Sequence, residues 1–307
     1  MSSDGSDPRL IGIDWGTTSF RAYLIGAGGE VLGRIAEKRG ILHVENGDFE
    51  GYFRQVLSPW LAGPRLPVVV SGMITSRNGW VETPYVDLPA GPSELAASLT
   101  RHALPGGPDL YFITGATALD ATGAPDVMRG EETEIIGLLG QGFVNGLLVM
   151  PGTHSKWVRI EEGRIAGFET FMTGEVFGAL KDATILGRLM AGTDPSPEAL
   201  ARGVRAGHGD PAALLHRMFH ARTLPLTGVI SERETADFLS GLLIGTEIGA
   251  ATRAGGIGKV AVVGRSDLAA RYVDAMTILG VETETAPPDL AAAGHFAIAR
   301  MAGLVRD

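Results

Sequence analysis

Asp14-Trp15-Gly16-Thr17-Thr18 follows the apolar run Leu10–Ile13. An acid at the end of a buried strand reaches the crevice where α/β proteins bind ligands. Glycine lets the backbone approach a phosphate, and the N–H groups of a tight turn form an anion-binding nest. Thr17 and Thr18 add hydroxyl donors. The Asp14 carboxylate repels phosphate and suits Mg²⁺ instead. Taken alone, the same string also describes an ordinary hairpin turn. A second turn of this kind, Pro151-Gly152-Thr153-His154, stands 136 positions further on. Two glycine–threonine turns on duplicated lobes could clamp a polyphosphate between them. Lys156, one of four lysines beside 22 arginines, either adds charge to that clamp or is a hydrated surface residue.

Two other stretches carry chemistry. In Met128-Arg129-Gly130-Glu131-Glu132-Thr133 the adjacent glutamates precede an apolar helix. They either complement its dipole or include a general base for a substrate hydroxyl. The stretch from Ser71 to Trp80 is long, polar and follows a buried strand, as binding loops do. Arg77 within it suits a substrate carboxylate by bidentate pairing, or a surface ion pair. Three weaker matches fail. Gly255–Lys259 has the wrong spacing for a P-loop, Gly26–Gly29 lacks the dinucleotide pattern, and His216 with His220 lacks a third ligand.

The elements that must position these residues are legible as periodicities. Strands are expected at Leu10–Asp14, Phe20–Ile25 and Val31–Glu37, an antiparallel meander. Asp48 caps a helical stripe containing Phe49, Tyr52, Phe53, Val56, Leu57 and Trp60. A strand at Pro67–Val70, a helix over Glu94–Leu104, a strand at Tyr111–Thr114 and a helix over Glu132–Leu139 follow. From Gly146 the meander returns as GLLVM, KWVRI and IAGFETF, so the fold contains two copies of one unit. Ser196-Pro197 and Asp210-Pro211 each place a cap before a helix. Ser231–Glu234 is a capping box opening a long helix through Arg253. Lys259–Val263, Ser266–Leu279 and Val281–Thr285 read as strand, helix and edge strand, and Asp289–Val305 as a closing alanine-rich helix. Strands alternating with helices in both halves make the class α/β.

Composition narrows the function. Acids outnumber bases 35 to 26, a net charge of −9, which opposes a nucleic-acid partner. There is no cysteine, so disulfides, thiolate metal sites and cysteine nucleophiles are excluded. The opening MSSDGSDPRL reads as a tail without signal-peptide features, and no apolar run approaches a membrane span. The expectation is a cytoplasmic protein with no membrane partner and with homo-oligomerisation left open. Glycine and proline together supply 61 of 307 residues, against about 12% in ordinary usage. Hydrophobic residues at 45% nevertheless allow a substantial core.

IDWGTTSFRAYL, SGMITSRNGWVETPY, VMRGEETEIIGL, VMPGTHSKWV, FMTGE and FLSGLLIGTEI, in that order, resemble the 2-dehydro-3-deoxygalactonokinase family. That family lies within the actin, Hsp70 and sugar-kinase superfamily. The resemblance implies two ribonuclease-H-like lobes around an ATP cleft, residues 9–141 with the helix at 289–307, and residues 142–288. It implies ATP- and Mg²⁺-dependent phosphorylation of the 6-hydroxyl of 2-dehydro-3-deoxy-D-galactonate in galactonate breakdown. Asp14 would organise Mg²⁺, with Gly16, Thr17, Thr18, Gly152, Thr153, His154 and Lys156 around the phosphates. Gly264 and Gly241 would lie near adenosine. Glu131 or Glu132 would be the base, and Ser71, Gly72, Met73, Ser76, Arg77, Trp80 and Arg129 would meet the sugar acid. A kinase for a related ketodeoxy acid or free sugar, and a non-kinase ATP-switched binding module, are the alternatives.

Overall fold

The first apolar runs become β1 (Pro8–Trp15), β2 (Phe20–Gly26) and β3 (Val31–Glu37), in a computed structural model that describes residues 7–192, 195–253 and 258–305. Most of the expected tail, and Gly255–Ile257 of the rejected P-loop match, lie outside the described residues. The register pairs Trp15 with Phe20 and Asp14 with Arg21 across a four-residue loop. Asp48 caps α1 (Phe49–Val56) by accepting a hydrogen bond from the Gly51 N–H. The expected stripe then breaks at Leu57, and a short α2 (Ser58–Leu61) carries Trp60.

β4 (Val68–Ser71) lies parallel to β1. β5 (Tyr85–Asp87) follows, and then α3 (Pro92–Ala97). The helix expected over Glu94–Leu104 ends there, because Thr100–Ala103 is a strand, β6, antiparallel to β7 (Asp109–Phe112). Thr100–Ala103 alternates between half-buried and exposed residues, a period of two that the helical spacing of Leu95, Leu99 and Ala103 masked. The resulting sheet has the order β3-β2-β1-β4-β7-β6. β8 (Gly115–Leu119) and β9 (Pro125–Met128) join β5 in a separate three-stranded sheet that sequence periodicity did not reveal. β9 runs directly into α4 (Glu131–Leu139).

The second meander is β10 (Gly146–Met150), β11 (Ser155–Glu161) and β12 (Arg164–Phe171). After it come α5 (Thr173–Ala183), α6 (Pro197–Gly209), α7 (Leu214–Met218), α8 (His220–Leu226) and α9 (Thr235–Ala251). β13 (Val260–Val262), α10 (Ser266–Ile278) and β14 (Thr283–Thr285) complete a sheet of order β12-β11-β10-β13-β14. Three antiparallel strands followed by parallel neighbours of the first strand recur in both sheets, so the duplication holds at the level of topology. Ser196 caps α6 as expected. Asp210 does not act as a cap, since no side-chain cap bond forms in the short 3₁₀ turn that follows it.

Close helix contacts account for much of the glycine. A Cβ on Gly203, Gly207, Gly241 or Gly245 would lie 2.1–2.3 Å from backbone carbonyl oxygens of the facing helix, α9 for the first pair and α6 for the second. The two helices therefore touch backbone to backbone. The same holds for α4 and the closing helix Leu290–Met301, where a Cβ on Gly137 would meet the Leu290 carbonyl at 2.1 Å.

The chain divides into two compact units. One takes the chain through Asn145 with Ile160–Gly167 and the segment from Pro287 onward; the other takes Gly146–Arg159 and Phe168–Ala286. The first core gathers Trp15, Phe20, Tyr52, Phe53 and Phe112, and the second gathers Trp157, Ile244, Ile248, Tyr272 and Met276. Among the described residues no helix is long and apolar enough to cross a membrane.

Candidate active site

In the first unit, Asp14, the last residue but one of β1, lies beside Ser71, its register partner at the end of the parallel strand β4. Both therefore sit at the carboxyl ends of adjacent parallel strands, where this class of sheet exposes its ligand crevice. Gly72 then turns with φ +97°, and a Cβ there would lie 2.7 Å from the Trp15 carbonyl and 3.1 Å from Asp14 Oδ1. Gly130, with φ +112°, opens α4, and its own Cβ would come 3.1 Å from the Gly72 Cα. Two glycines in contact thus bring the first turn of α4 against the strand end that carries Asp14.

The two glutamates of that turn differ. Glu132 is buried; its carboxylate accepts from the Gly130 N–H at 2.7 Å and from the Thr133 hydroxyl at 3.2 Å. Burial, with Glu131 adding repulsion, pushes its pKa up to about 8. Glu131 is partly exposed and accepts from the Arg129 N–H at 2.9 Å. A base must reach solvent-borne substrate, and of the pair Glu131 alone has access to it.

Three residues that sequence reasoning missed complete this cluster. Arg21 pairs with Asp14 at 2.5 Å and lies 3.6 Å from Glu134. The cross-strand register of a four-residue hairpin would have revealed the first contact. Burial raises the Glu134 pKa to about 7, with Asp14 adding to the effect and Arg21 opposing it. His295, alone in the alanine-rich closing helix, is fully buried with Nε2 2.9 Å from the Ser71 hydroxyl. Burial pushes its pKa down to about 3, so it is neutral and serves packing over Gly12, where a Cβ would come 2.7 Å from its Nδ1.

The loop after β4 separates into parts. Met73–Thr75 is a 3₁₀ turn, and the Ser76 hydroxyl donates back to the Met73 carbonyl. Arg77 is exposed and forms no ion pair among the described residues. Trp80, expected against the sugar, instead packs its ring within 6 Å of Phe53, His102 and Phe112, because an indole next to a strand end is drawn into the core. Arg129, also expected at the substrate, is held by protein groups through both terminal nitrogens, while its buried Nε has no hydrogen-bond partner among the described residues. Its guanidinium donates to the Thr75 carbonyl and hydroxyl and to Thr83, and it stacks over Tyr85. It clamps the loop to the start of α4.

In the second unit, Pro151–His154 is again a four-residue loop between the first two strands of a meander. Thr17, Thr18, Thr153 and His154 are all exposed in their respective loops. Gly174, at the start of α5, seats the second loop: a Cβ there would lie 2.4 Å from the Gly152 carbonyl. The Glu175 N–H donates to the Thr153 carbonyl at 3.0 Å, and the Glu175 carboxylate meets His154 Nε2. Gly264, with φ +136°, follows β13 and lies against Pro151, so the structure brings it to this loop. Gly241 it does not; that residue faces α6. Lys156 is buried rather than hydrated, donating to the Thr170 hydroxyl on β12 at 2.7 Å. Its charge is held at the sheet.

The profile described as 2-keto-3-deoxy-galactonokinase matches residues 14–298. This chain belongs to that family. The kinase is 36% identical to a Rhizobium meliloti protein named as a probable 2-dehydro-3-deoxygalactonokinase, over 94% of this chain and 95% of the relative. It is 31% identical to the Escherichia coli 2-dehydro-3-deoxygalactonokinase, over 92% and 94%. A crystal structure of a Sinorhizobium meliloti protein assigned the same activity superposes with a TM-score of 0.87 at 34% identity, covering 95% and 98% of the two chains. A xylulose kinase from Lactobacillus acidophilus shares the fold alone, with a TM-score of 0.51 at 11% identity over 97% and 90%. Family membership sets aside the reading of the kinase as a non-catalytic ATP-switched module.

Proposed function

We propose that this chain transfers the γ-phosphoryl group of ATP to the 6-hydroxyl of 2-dehydro-3-deoxy-D-galactonate. The observation that carries the reading within the family is the contact of Gly72 with Gly130, which sets Glu131 beside the strand end bearing Asp14. Glu131 takes the proton of the sugar-acid hydroxyl as its oxygen attacks the γ-phosphorus, and ADP leaves. Such transfer depends on positioning and charge neutralisation more than on covalent help. The exposed N–H and hydroxyl groups of Gly152, Thr153 and His154 bind phosphate oxygens, Gly16, Thr17 and Thr18 do the same from their own loop, and Gly264 borders adenosine.

Asp14 fits Mg²⁺ by donor type, a carboxylate at a strand end where the absent side chain of Gly72 leaves room. Among the described residues no three histidines, aspartates and glutamates gather to hold a metal unaided. Asp14 would therefore hold the ion together with the nucleotide's phosphate oxygens, as is usual for Mg²⁺. When bound, it would neutralise charge developing on the transferred group. Arg21 orients Asp14 through their ion pair, and Arg77 meets the substrate carboxylate.

A coupled assay of ADP release tests the reading over a panel of 2-dehydro-3-deoxy-galactonate, its gluconate epimer and neutral sugars, with Asp14→Ala as control. The expected result is turnover highest on the galactonate derivative and lost in the variant. Preference for a neutral sugar removes Arg77 from its role and refutes the substrate assignment.

A further inference from the structure

A buried carboxylate lies outside everything assigned so far. Glu247, in the middle of α9, is 2% exposed, and burying an acid among apolar helices is costly unless it is well hydrogen-bonded. Here it is. Its Oε1 accepts from the Trp157 indole at 2.7 Å and its Oε2 from the Tyr272 hydroxyl at 2.7 Å. The Thr173 hydroxyl also lies beside it, and the Ser155 hydroxyl reaches it through Tyr272, 2.8 Å away. Burial pushes its pKa up, and the neighbouring hydroxyl and indole groups pull it back. One side chain therefore gathers groups from β11, α5 and α10.

The placement of two of those groups matters. Ser155 is the residue after His154, so it ends the Pro151–His154 loop. Thr173 is the residue before Gly174, on which Gly152 and Thr153 rest with no room for a Cβ. Glu247 thus ties both the exit of the loop and the seat beneath it to one point in the core. We propose that Glu247 is a positioning residue that holds the Gly152–His154 turn in its ligand-ready shape by pinning Ser155 and Thr173. This rests on the reading of that turn as a nucleotide-phosphate site.

The test measures ADP affinity by calorimetry, KM for the sugar acid and the melting temperature, for the wild type and Thr153→Val, Ser155→Ala, Thr173→Val, Glu247→Gln and Glu247→Ala. Thr153→Val probes the turn itself and should weaken ADP binding. Ser155→Ala and Thr173→Val, each removing a hydroxyl from the group around Glu247, should weaken ADP binding about fivefold while leaving the KM for the sugar acid within twofold. Glu247→Ala should weaken it tenfold or more, with most of the loss restored in Glu247→Gln, which keeps the shape and one acceptor. If Glu247→Ala does not fold, the two hydroxyl variants decide. ADP affinity lost in Thr153→Val but unchanged in Ser155→Ala and Thr173→Val overturns the anchoring role alone. ADP affinity unchanged in Thr153→Val overturns the phosphate reading of the turn, and the proposal with it.

Discussion

Adjacent glutamates at a helix start look interchangeable, yet position in the first turn assigns them different work. Glu132 folds back over the Gly130 N–H inside the protein, whereas Glu131 stays at the surface of the crevice. Glu131→Gln should lower kcat by about two orders of magnitude or more, the usual share of a general base, while Glu132→Gln should keep most of it. Full turnover in both variants would remove the base from this turn. Glu132 also makes a stability prediction with a definite sign. Its folded pKa of about 8 lies above its unfolded value, so the folded state retains a proton that the unfolded state releases. Stability should therefore fall as pH rises from about 4.5 to 8. Glu132→Gln removes that loss, and its melting temperature should exceed the wild type's at pH 8 by more than at pH 5. A constant difference across that range would contradict the burial. At the residue scale the motif positions Asp14, Gly72 and Gly130 do come together in space. The motifs did not reveal the contacts of Arg21, Trp80 and Arg129, whose partners lie up to 113 residues away in sequence.

At the scale of elements, the short antiparallel repeats were legible because both partners of each pair are local in sequence. Thr100–Ala103 was not, because four residues of mixed polarity fit a helix as well as an edge strand, and only β7 decides between them. The glycines of α6 and α9 carried no sequence signal of their role either. Gly241, expected near adenosine, is small because α6 passes 2.3 Å from where its Cβ would be. Gly245→Ala should then destabilise the protein by about 1–3 kcal/mol, the usual cost of overpacking, without changing the KM for ATP. Gly178→Ala in α5, where a Cβ meets nothing within 4 Å, should stabilise it by about 0.5–1 kcal/mol through helix propensity. Chemical denaturation measures both, and equal effects would show that helix contact is not what selects glycine.

For the whole molecule, two sheets built to the same strand order each present a four-residue loop after their first strand. The duplication was visible from the 136-residue spacing of the two glycine–threonine turns, although the helices inserted between repeats hide it from simple alignment of the halves. A chain without cysteine excludes thiolate chemistry, which phosphoryl transfer to a hydroxyl does not need. Family membership makes the chain a sugar-acid kinase, and the 6-hydroxyl is the proposed acceptor. The position of the new phosphate tests that assignment most directly. Incubating the protein with ATP, Mg²⁺ and 2-dehydro-3-deoxy-D-galactonate, then recording proton-coupled phosphorus NMR of the product, should give a single monoester coupled to the two protons on C6. Inorganic phosphate alone, or a monoester on any other carbon, would contradict the account.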